Sequence, residues 1–93
     1  MTDPTPRFRG KGTLLVRGAE QSQVEYEITV FEVDTVRRTE GWVEAGLGVL
    51  TYAQSSTGAQ LKLNDGRAVE VSVGSFIVKS HPSRAALIVH GGL

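Results

Sequence analysis

His81 and His90 are the only two histidines of the chain, and there is no cysteine to join them. Protein zinc sites are built from Cys, His and carboxylate donors, usually with some of them closely spaced in sequence. Two imidazoles without such spacing do not make a set. Both are read as surface groups, one in a polar turn and one at the end of a strand. His81 follows Ser80, but adjacent side chains rarely aim at each other, and no Gly-x-Ser-x-Gly elbow occurs. Glu25 and Glu27 share a strand face opposite an apolar one, so they are read as solvating a sheet rather than moving protons. Gly10-Lys-Gly12 and Gly46-Leu-Gly48 lack the further glycines and the following helix of a phosphate loop. The expectation is a protein without metal, cofactor or catalytic residues, and not an enzyme.

Binding chemistry has more material. Arg37, Arg38, Trp42 and Tyr52 supply cations and stacking rings, the ingredients of a surface for single-stranded nucleic acid or a small ligand. Arg7, Arg9, Lys11 and Arg17 gather near the start. Against them stand Glu20, Glu25, Glu27, Glu32, Asp34, Glu40 and Glu44 in the same half. Ten basic residues balance ten acidic ones, so no global field draws the chain to nucleic acid or to anionic lipid. A second candidate surface is the apolar run near the C-terminus. Ala85, Leu87, Ile88 and Val89 fall in a strand apolar on both faces, which reads as an interface strand or as a strand covered on both sides.

The elements that must carry these residues are strands. Val24, Tyr26, Ile28 and Val30 recur at a period of two with Glu25, Glu27 and Thr29 between them, a half-buried strand. The phase breaks where Phe31 follows Val30, and a β-bulge or sharp bend over residues 30–32, or a strand that leaves one sheet and enters another at a corner, is expected there. Residues 13–17 form a strand closed by Gly18, and residues 19–23 a polar loop. Residues 37–41 read as a turn, and 41–53 as one long strand with Val43, Ala45, Leu47 and Val49 on one face. Short strands are expected at 59–63, 69–73, 75–79 and 85–90, with polar turns at 55–58 and 80–83 and no helix.

One connection is specified in detail. Leu61 and Leu63 precede Asn64-Asp65-Gly66, and Val69, Val71 and Val73 follow. A two-residue loop would put the leucines and valines on opposite faces. A three-residue loop opposes Leu63 to Arg67 and Leu61 to Val69, and gathers all the apolar residues on one face. That loop is a type I turn with Gly66 in the left-handed conformation.

With 93 residues the chain is one domain, expected as a flexible tail over 1–7 and a single β domain over 8–93. Its fold class is all-β: a small antiparallel meander-type barrel or two-layer sandwich of about six to seven short strands. No run approaches the roughly 20 apolar residues of a membrane helix, and residues 1–12 do not form a signal peptide. The expectation is a cytoplasmic protein with no membrane partner. The function expected first is protein–protein contact, foremost self-association as a homodimer. The alternative is binding of a small molecule or single-stranded nucleic acid.

Overall fold

The structure, a computed structural model, describes residues 7–80 and 82–92; residues 1–6 of the expected tail, and His81, lie outside the described residues. Six strands run in the order β1 (Arg7–Val16), β2 (Ala19–Val33), β3 (Val36–Ala45), β4 (Ala59–Lys62), β5 (Ala68–Val78) and β6 (Ser83–Gly91), with one helix, α1 (Leu47–Gln54), between β3 and β4. They close an antiparallel barrel in the order β1-β2-β3-β6-β5-β4. Two three-stranded meanders are therefore joined by α1. The seams between them are β1 with β4 and β3 with β6.

The period-two faces point inward as expected. Val24, Tyr26 and Ile28 of β2 and Leu61, Val69, Val71 and Val73 of β4 and β5 are buried in one core with Leu14, Val43 and Leu87, and Val30 is buried beyond it. The described interior positions of the barrel are filled by side chains, as is usual at this strand number. The hairpin after Leu63 has the three-residue form. The Gly66 N–H donates to the Leu63 carbonyl at 3.0 Å, the Leu63 N–H donates to the Arg67 carbonyl at 2.7 Å, and Gly66 has φ +91. The Arg67 N–H turns to Asp65 Oδ1 at 2.9 Å.

Five local expectations are corrected. Residues 19–23 are strand, not loop, because Arg17 and Gly18 at φ 54 and 81 make a two-residue turn that lets Val16 pair with Ala19 at once. Residues 37–41 are also strand. The turn lies at Asp34-Thr35, both at positive φ, between Val33 and Val36. The β2–β3 register runs unbroken from Glu25 opposite Glu44 to Val33 opposite Val36, so there is no bulge over residues 30–32. Val30 and Phe31 need not share one core: Val30 is buried inside, and Phe31 points to the outer side of a ribbon that continues past the barrel. The ribbon contributes to the long axis of a molecule measuring 42 × 27 × 21 Å.

The fourth correction is α1. The run over 41–53 divides at Gly46, which caps the helix at φ −62 and ψ 146. The chain must cross the barrel end from β3 to β4, and a helix satisfies its own backbone while it does so. Leu50 and Ala53, three apart, are the residues it buries. Leu47, expected inside, is exposed instead. Ser55 and Ser56 close the helix on the Tyr52 carbonyl, and Gln54 Nε2 donates to the Gly74 carbonyl at 2.7 Å, fastening α1 to β5.

The separate strands expected at 69–73 and 75–79 are one strand, β5, whose register against β6 shifts between Val73 and Phe76 and again before Val78. β6 is bonded to β3 on one side and β5 on the other. Among the described residues no helix is long and apolar enough to cross a membrane.

Candidate binding cleft on the outer wall

Alternation along β2 and β3 sets the outer wall. With Tyr26, Ile28 and Val43 inside, Glu25, Glu27, Thr29 and Phe31 point outward on β2, opposite Glu44, Trp42, Glu40 and Arg38 on β3. The two strands approach closely at Gly41, where a Cβ would collide with the Glu27 carbonyl. Here the barrel wall gives way to the ribbon, and an open cleft of about 530 Å³ forms, lined by Glu27, Thr29, Phe31, Glu40, Gly41 and Trp42. Both aromatic residues are half-buried.

Trp42 is held from the β6 side. The Arg84 guanidinium lies 4.1 Å from the ring centroid, and its Nη2 and Nε donate to Glu44 Oε2 at 2.9 and 3.2 Å. A cation over the indole, anchored by a carboxylate, fixes the ring in place. Arg7 Nε of β1 stands 3.2 Å from Glu27 Oε1 of β2. Among the described residues Glu40 has no ion pair.

The expected binding residues do not form one surface. Trp42 and Arg38 share the outer face of β3, and Arg38 lies opposite Phe31 at the cleft's ribbon side. Arg37 alternates to the other face. Tyr52 is 49% exposed on α1, at the opposite end of the barrel from the ribbon. Arg9 and Lys11 of β1 stand opposite Glu27 and Glu25, so the early basic cluster is matched by carboxylates and makes no continuous basic groove.

The four residues of the expected interface strand also divide. Ala85 and Leu87 are buried in the core and Val89 packs against it. Only Ile88, 48% exposed, faces outward, beside Ala86 and Gly74. Between β3 and β5 the strand offers no free edge over its doubly bonded length.

His90 has a partner that the sequence did not suggest: its Nε2 lies 2.6 Å from Ser72 Oγ, across the outer faces of β6 and β5. Among the described residues no group of three His, Cys, Asp or Glu side chains gathers to hold a metal. Among the described residues no further side chain is bonded to His90 or to the Ser72 hydroxyl. The cleft residues Phe31, Glu27, Thr29 and Glu40 were missed as a group. One signal pointed to them, the phase break at Phe31. Comparison of the chain with protein-family models, with curated proteins and with solved structures finds no match.

Proposed function

We propose that the domain is a non-catalytic protein-contact module that docks another chain on the outer wall of β2 and β3. The observation that carries this reading is the cleft itself, an open concavity bounded by two half-buried aromatics where the ribbon leaves the barrel. Half-buried aromatic rings on an otherwise charged wall are the residue types that anchor protein interfaces. A cleft this open encloses little of a compact ligand, whereas an extended chain gains contact along its length. The acidic lining works against a nucleic-acid backbone.

The test places a photo-activatable crosslinking residue at Thr29, inside the cleft, and in a second protein at Glu70, on the outer wall of β5. Both proteins are irradiated in the cells that make them. The expected result is a discrete adduct, to a second copy or to another protein, from position 29 only. Identical adducts from both positions, or none from either, would overturn the reading.

Self-association has one observation of its own, the exposed Ile88 beside Ala86 and Gly74 on the outer face of β6. If that face joins two copies, sedimentation equilibrium of the purified protein finds a dimer, and Ile88→Lys returns it to monomer. A monomer at all concentrations removes this route.

A further inference from the structure

We propose that the cleft between Trp42 and Phe31 receives a guanidinium group, the side chain of an arginine on the docked chain. This rests on the reading of the domain as a protein-contact module and names the residue that it recognises.

Three observations converge on a cation. The first is the lining: two carboxylates, Glu27 and Glu40, two aromatic rings, a threonine, a glycine and no basic residue. An anion meets repulsion there, and a purely apolar group would strip water from the carboxylates without replacing its hydrogen bonds. A cation satisfies both features, through the electron-rich ring faces and through charge-assisted hydrogen bonds.

The second is that the molecule already uses this chemistry on the same indole. Arg84 lies 4.1 Å from the Trp42 centroid while bonding Glu44 at 2.9 Å. The cleft repeats the combination of aromatic ring and carboxylate with Trp42, Phe31, Glu27 and Glu40. The planar guanidinium suits it better than ammonium, since it stacks on a ring and donates in its own plane to a carboxylate.

The third is charge accounting. Arg7 meets Glu27 at Oε1 with its own side chain 61% exposed, so that pair is solvent-screened, while the neighbouring Arg9 and Arg38, opposite Glu27 and Phe31, are exposed and stand outside the lining. Glu40, directly opposite Thr29 in the register, brings a second carboxylate to the same space.

Trp42 is the only tryptophan of the chain, so its emission reports on the cleft directly. The full chain is titrated with a blocked peptide carrying one arginine among glycines, and with the same peptide carrying citrulline, which keeps the shape and removes the charge. The expected result is a saturable change with the arginine peptide and affinity weaker by about tenfold or more with citrulline. Phe31→Ala should weaken the arginine peptide about tenfold. Glu40→Gln should weaken it about threefold. Glu70→Gln, on another wall, should leave it unchanged. Unfolding midpoints of each variant separate lost binding from lost structure.

Equal response to arginine and citrulline peptides, or none to either, would overturn the proposal. Binding of free arginine amide as tight as that of the peptide would overturn the assignment to a docked chain. A Thr29 adduct that persists when the arginine peptide fails leaves the docking surface standing and removes only its recognition chemistry.

Discussion

At Gly66 the chain turns with φ +91, and no atom lies within 4 Å of where a Cβ would stand. A substitution there meets no collision, so its whole effect is conformational. Gly66→Val should lower stability by about 1 kcal/mol or more, because a β-branched residue is poorly tolerated in the left-handed region. Gly66→Asn should lose less, since asparagine visits that region more readily. Denaturant unfolding of the two variants measures the difference, and equal midpoints would argue against the left-handed turn. Tyr26 illustrates the opposite situation. It is 1% exposed, yet its hydroxyl donates to Asn64 Oδ1 at 3.2 Å and accepts the Asn64 N–H at 3.1 Å. Its alternation pattern announced an inward side chain, and the pattern was right. Nothing in the sequence announced that the ring would reach the hairpin loop, because Asn64 is far along the chain and is brought near only by the β1–β4 seam.

At the scale of elements, α1 carries more of the fold than its eight residues suggest. It lacks a side-chain N-cap and any acidic residue in its first turn, so its own sequence stabilises it little. What holds it is tertiary: Leu50 at 0% exposure, Ala53 beside it, and the Gln54 bond to β5. Leu50→Ala should therefore cost about 2–5 kcal/mol, the range for emptying a fully buried leucine site. The loss should appear in global unfolding rather than in helix content alone, as followed by circular dichroism against denaturant. This dependence also explains why the helix was not legible. Leu47 and Val49 fit a strand alternation, and Leu47 and Leu50 a helical spacing, so over so short a run neither period wins. The ribbon was misread for a related reason. Asp34 and Thr35 lack the glycine that usually marks a two-residue turn, and Arg37-Arg38 looked like the bend.

For the whole molecule, closure of the barrel decides which backbone is protected. β6 is bonded on both sides over much of its length, whereas in β3 residues 36–40 are paired to β2 alone. Amide hydrogen exchange should be slowest along β6 over residues 83–87 and faster by orders of magnitude in the ribbon over 34–38, because the ribbon can open without the barrel. Uniform protection across both would mean that the ribbon unfolds only with the barrel. Over residues 84–87 β6 is bonded to β3 and to β5, so that stretch presents no backbone edge to another chain.

The sequence by itself determined the class of fold and the inward residues of β2, β4 and β5. Those follow from the period of two, which any strand imposes on its own neighbours, and from one loop whose length the faces of Leu61 and Val69 fix. Only the tertiary structure decided that the sheet closes, that the run after Gly46 is a helix, and that Phe31, Glu40 and Trp42 share a cleft. Closure and the helix depend on pairings between distant strands and on the twist that brings the first meander against the second, and the cleft depends on the β2–β3 register set by the turn at Asp34-Thr35. Alternation says which side of its own strand a residue takes. It does not say which strand lies beside it or in what register, and the cleft is made of that second fact.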